Sequence, residues 1–145
     1  MSNPESQQIQ LATLNKVANQ FFKSLSELKV RHELFEKFPD ATCGNTSEML
    51  GYHLSKRFGL DVTYEAGDRY GPDWGSHAWL EVGNVIIDLT CCQFEDCPHV
   101  CPYVGEDRTW HDQWDLKDSY LASEPTGKEY WNDAYQDILS QDCLG

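Results

Sequence analysis

A thiol, an imidazole and a carboxylate stand at Cys43, His77 and Asp88. Brought together, these three groups can carry out acyl transfer. The thiolate attacks a carbonyl carbon to form a thioester, and the imidazole takes the thiol proton and later hands it to the leaving amine. The carboxylate orients the imidazole, holds its tautomer and stabilises its charged form. Whether they meet is decided by the elements that carry them.

Residues Ser76 to Thr90 read as two short strands joined by Gly83-Asn84, a two-residue turn of the kind that tolerates positive φ. With that turn, Val82 pairs with Val85, Leu80 with Ile87 and Ala78 with Leu89, and these six apolar residues share one face. The other face carries His77, Trp79 and Glu81 on one strand and Ile86, Asp88 and Thr90 on the next. A one-residue slip would push Asp88 among the apolar partners, so burial specifies the register. In that register His77 and Asp88 are diagonal cross-strand neighbours, within reach of long side chains.

The thiol belongs to a different element. Phe38 to Glu48 (FPDATCGNTSE) is a helix start, with Asp40, Thr42 or Asn45 as the N-cap and Asn45 with Glu48 as a capping box. The helix runs to about Phe58, where Gly59 stops it. Cys43, Ser47, Leu50, Leu54 and Phe58 lie along one face, turned to the core. A thiol at the positive end of a helix dipole is favoured as thiolate. The alternative role for Cys43 is that of a small buried hydrophobe.

A cysteine at a helix start, a histidine opening a strand and an aspartate on the next strand resemble the transglutaminase-like branch of the papain-like cysteine superfamily. The likeness is carried by Cys43, by His77-Ala78-Trp79 with Leu80-Glu81-Val82 behind it, and by Ile87-Asp88-Leu89-Thr90. Gly44-Asn45-Thr46 follows the cysteine in place of the bulky aromatic often found there, so no single family within the superfamily is assigned. The resemblance implies a papain-like core, with a nucleophile helix packed on a small antiparallel sheet and extra N- and C-terminal helices. It also implies an amide in a protein or peptide as substrate, and no cofactor. Water as acceptor would give a peptidase, amidase or deamidase, and an amine a transglutaminase. The backbone N–H of Cys43 is one oxyanion donor. Asn19, Gln20 and Gln93 are candidates for a second, and Trp74 and Trp79 beside His77 are candidates to line a substrate cleft.

Around these elements the chain reads as a single α+β domain over 1–145, with 1–7 a loose terminus. Leu14, Val17, Phe21, Leu25 and Leu28 make an apolar stripe on a helix over about Gln8 to Leu28. A further helical piece over Arg31 to Lys37 ends at Pro39. Val62 to Glu65 reads as a strand and Gly67 to Ser76 as a loop. The last third is rich in aromatics, and Gly127 opens a final helix with Trp131, Tyr135 and Ile138 on one face. His111, in a polar and aromatic segment, is expected to be exposed, and His53 to be solvated. His32 has no evident partner.

The net charge of −13 is uneven: residues 1–60 hold seven Lys/Arg against six Asp/Glu, and residues 61–145 hold four against eighteen. That field disfavours nucleic acid and favours a basic partner or substrate. No run reaches transmembrane length, and the polar start has no apolar signal-peptide core, so a cytoplasmic location is the default. Six cysteines in a reducing compartment are expected as thiols rather than disulfides. Four cysteines and a histidine fall within the eleven residues Cys91 to Cys101. Cys92, Cys97, His99 and Cys101 are a possible zinc set, but no Cys-x-x-Cys pair occurs, so no metal is expected. By hairpin parity Cys91 packs with Leu89. Two other readings stay open beside the enzyme: a catalytically inactive binding module on the same fold, and an acidic mimic of nucleic acid.

Overall fold

The computed structural model describes residues 4–28, 33–38, 42–69 and 75–140. Its regular elements are α1 (Pro4–Leu28), α2 (Cys43–Phe58), β1 (Thr63–Arg69), β2 (Gly75–Val82), β3 (Val85–Asp88), β4 (Tyr103–Gly105), β5 (Asp115–Leu121) and α3 (Lys128–Leu139). Three helices and an antiparallel five-stranded sheet, in the order β4-β3-β2-β1-β5, make an α+β fold.

The β2–β3 hairpin has the register its apolar alternation demands. Val82 stands opposite Val85 and Leu80 opposite Ile87. Gly83 sits at φ 58°, a backbone that glycine adopts without a side-chain clash. Ala78, Leu80, Val82, Ile87 and Leu89 face the main core, where the stripe of α1 meets them through Leu14, Val17, Phe21, Leu25 and Leu28. Trp131, Tyr135 and Ile138 of α3 close the same core.

Several elements differ from the sequence expectation. The first helix begins at Pro4, where the missing N–H costs nothing, so it includes residues 4–7. In place of a helix over Arg31 to Lys37, the described residues hold a short 3₁₀ turn, Glu33–Phe35. His32 lies outside the described residues. Strand β1 runs on to Arg69 because it pairs with β2 along its whole length, Thr63 opposite Glu81 through Arg69 opposite Gly75.

Helix α2 begins and ends where expected, with Thr42 as N-cap, but no side chain caps it. It is buried around most of its circumference between Thr46 and Leu54, so a single apolar stripe does not describe it. His53, expected to be solvated, is buried and paired with the Tyr135 hydroxyl at 2.9 Å. Burial, with Arg57 nearby, pushes its imidazole down to about 4. Phe58, on the expected core face, is 43 % exposed. Gly51 lets α2 lie close on the sheet: a Cβ there would stand 2.7 Å from Ala122 Cβ and 2.8 Å from Leu80 Cδ2.

The second face of the sheet is also covered. Trp79 and Ile86 from the hairpin pack with Cys91, Trp110 and Trp114 in a smaller core. Cys91 is therefore buried on the face opposite Leu89. Strand β3 stops at Asp88, and the 3₁₀ turn Cys91–Gln93 breaks the alternation. Strands β3 and β4 pair with Asp88 opposite Tyr103, which brings the chain beyond each strand end face to face. Cys92 and Cys101 meet there in a disulfide, Cα to Cα 5.7 Å. This corrects the expectation of reduced thiols for these two, and it is a bond that a reducing compartment does not favour. Among the described residues, no helix is long and apolar enough to cross a membrane.

Candidate active site

Cys43 is the first residue of α2, where backbone N–H groups have no partner within the helix. One turn on, the Ser47 hydroxyl donates to the Ala78 carbonyl at 3.2 Å, hooking the start of α2 onto β2 next to His77. His77 donates its Nε2–H to Asp88 Oδ2 at 2.6 Å, and both side chains are fully buried. The other carboxylate oxygen, Oδ1, accepts the Thr90 N–H at 2.9 Å. An ionised carboxylate only accepts, so the His77 nitrogen facing it carries the hydrogen. The nitrogen left to act as a base is Nδ1.

Nδ1 makes no hydrogen bond within ordinary geometric limits. Burial works against the charged imidazole, but Asp88, by charge and by hydrogen bond, and then the Cys43 thiol push it up to about 9. Burial also opposes the Asp88 carboxylate. His77 and His111 outweigh it and hold the group well below the usual carboxylate range.

His111 is the residue that sequence reasoning missed. Expected to be exposed, it is 1 % exposed and donates Nε2–H to the same Asp88 Oδ2 at 2.7 Å. It follows a 3₁₀ turn boundary at Trp110, and the loop after β4 carries it back over the second sheet face. The available signal was its place in Trp110-His111-Asp112-Gln113-Trp114, between two tryptophans that both bury.

A cavity of about 370 Å³ opens beside Cys43, lined by Thr42, Gly44, Asn45, Tyr64, Ser76, Gln93 and Tyr120 and completed by Glu48, Thr126 and Gly127. Tyr64 and Tyr120 stack with centroids 4.5 Å apart. Glu48 forms no capping box. Its carboxylate accepts from the Tyr120 hydroxyl, from the Thr126 N–H and hydroxyl, from the Gly127 N–H and from Trp131 Nε1, the last four at 3.0 Å. Burial opposes its charge, and these bonds, Tyr120 first, hold the group below its ordinary value. Glu48 thus ties α2 to the start of α3 and forms one wall of the cavity.

Of the other sequence candidates, Gln93 lines this cavity and Gln20 does not. Asn19 lies exposed on α1, bonded back to Asn15. Trp79 is buried in the smaller core with Nε1 donating to Glu81, so it does not line the cleft. Trp74 lies outside the described residues. The proposed zinc set loses two members, because Cys92 and Cys101 are bonded to each other. Among the described residues, His77, Asp88 and His111 could hold a metal, with ligand atoms all within 4.8 Å. Those atoms are already joined by the hydrogen bonds just described.

No protein-family model, curated protein or solved structure matches this chain. The likeness to transglutaminase-like proteins is therefore one of sequence motif alone. Of the aromatics of the last third, Trp110, Trp114, Trp131 and Tyr135 are buried, Tyr120 is half-buried and Tyr130 is exposed. Tyr64 and Tyr120 are the aromatics at the cavity.

Proposed function

We propose that the chain is a thiol-dependent acyl-transfer enzyme with a papain-like, transglutaminase-like core, acting on an amide of a protein or peptide through a Cys43 thioester. One observation carries this reading. His77 is held by Asp88 through Nε2, which leaves its other nitrogen as the base, and the Ser47–Ala78 hydrogen bond hooks the start of α2, where Cys43 stands, onto β2 next to His77.

In the first half, Cys43 Sγ attacks the carbonyl carbon and the thiol proton passes to His77 Nδ1. The C–N bond then breaks, and the leaving amine takes that proton. In the second half, water attacks the thioester as His77 takes its proton, releasing a carboxylic acid and restoring the thiol. An amine in place of water would give transamidation. The oxyanion is held by the backbone N–H of Cys43 at the start of α2 and by Gln93, the one amide donor among the earlier candidates that lines the cavity. The acidic second half of the chain favours a basic partner around the scissile amide.

A non-specific acyl donor, p-nitrophenyl acetate, tests the reading. The expected result is a burst of nitrophenol with an acetyl group on the Cys43 peptide, lost in Cys43→Ala while the fold is retained. The same burst in Cys43→Ala would sink the proposal.

A further inference from the structure

We infer that His111 is a positioning residue of the Cys43–His77–Asp88 unit, holding the Asp88 carboxylate in place for His77. This deepens the function proposed above and rests on it. The observation behind it is a carboxylate oxygen shared by two buried imidazoles, at 2.6 Å from His77 Nε2 and 2.7 Å from His111 Nε2.

A carboxylate held only by His77 and the Thr90 N–H could turn about its last torsion and present either oxygen to the ring. With His111 in place, Oδ2 has two imidazole donors and Oδ1 has the backbone, so rotation would break bonds among fully buried groups. Both rings must present hydrogen on Nε2, because Oδ2 has none to give. His111 thereby secures the tautomer of His77 at one remove. Its own Nδ1 is buried without a partner, so neither the thiol nor the cavity makes use of that end. The ring is fixed by its neighbours: Trp79 and Trp110 meet it edge-on at 5.0 and 4.9 Å between centroids, and Tyr103 and His99 stack at 5.8 and 6.1 Å. A residue serving only as filler there would not need an N–H aimed at a catalytic carboxylate.

Proton and nitrogen NMR of histidine-labelled protein reads the arrangement directly, with iodoacetamide labelling of Cys43 beside it. The wild type should show two exchange-protected imidazole N–H protons far downfield, both on Nε2. His111→Phe, which keeps the ring packing, should remove one and move the other, and Cys43 labelling should fall by about tenfold. His111→Gln, which keeps an N–H donor, should label faster than His111→Phe. An unmoved His77 proton and an unchanged labelling rate in His111→Phe would overturn the inference. Should that variant not fold, the wild type decides alone, since a His111 ring with no hydrogen on Nε2 cannot donate to Asp88. One zinc per chain with both protons missing would overturn it in favour of a metal centre. If His77→Ala labels as fast as wild type, the proposed function fails, whatever the wild-type resonances show.

Discussion

At Asp88 one oxygen serves two rings, and the chemistry of the site turns on what that carboxylate accepts. Asp88→Asn keeps the shape but can offer an N–H to His77, which favours the wrong tautomer. Turnover of an acyl donor should fall by several orders of magnitude, with the melting curve retained and some activity left. Cys43→Ala should abolish turnover, and Cys43→Ala/His77→Ala should be no worse than Cys43→Ala alone, because losses within one unit do not add. A double variant clearly worse than the single would show that the residues act separately. The His77–Asp88 pair was legible in the sequence because both residues lie on one hairpin whose turn and alternation leave a single register. His111 was not legible. It reaches Asp88 only through a loop without periodicity, after the chain has passed through the Cys92–Cys101 disulfide and β4.

At the scale of elements, the site depends on how closely α2 lies on β2. Leu80 sits beneath that contact and Gly51 permits it, so the two should respond in opposite senses of volume. Leu80→Ala should cost about 2–5 kcal/mol in urea melts by leaving a cavity. Gly51→Ala should cost about 1–3 kcal/mol by pushing against Ala122 and Leu80. A neutral Gly51→Ala would mean that the helix stands further off the sheet than described. The stripe and end of α1, the two ends of α2, and the start and buried face of α3 could be read from apolar spacing and from Gly59 and Gly127. Spacing misjudged His53, because α2 is enclosed on nearly all sides and a face that looks polar on a helical wheel is also inside. It misjudged Cys91 because period-two reasoning holds only while the strand lasts, and β3 ends at Asp88.

For the whole molecule, two histidines set opposite limits on stability. His77 is raised to about 9 from an ordinary value of about 6.5, so its contribution is complete below about pH 6.5 and is lost as pH rises through 9. His53 is lowered to about 4, so its contribution is complete above about pH 6.5 and is lost as pH falls towards 4. Asp88 and Glu48, both lowered, lose theirs on further acidification. Stability should therefore peak near pH 6.5 and fall on both sides. His77→Phe should flatten the alkaline limb, whereas a wild-type profile already flat from pH 7 to 9 would contradict the His77–Asp88 pairing. The central claim, that Cys43 is a nucleophile activated by His77, is tested most directly by peptide-resolved iodoacetamide labelling of the intact protein. Among the described residues, Cys43, Cys91 and Cys97 carry free thiols. Cys43 should label far faster than the other two, and its rate should drop by orders of magnitude in a folded His77→Ala variant. Three comparably slow thiols, or a Cys43 rate unchanged without His77, would contradict it.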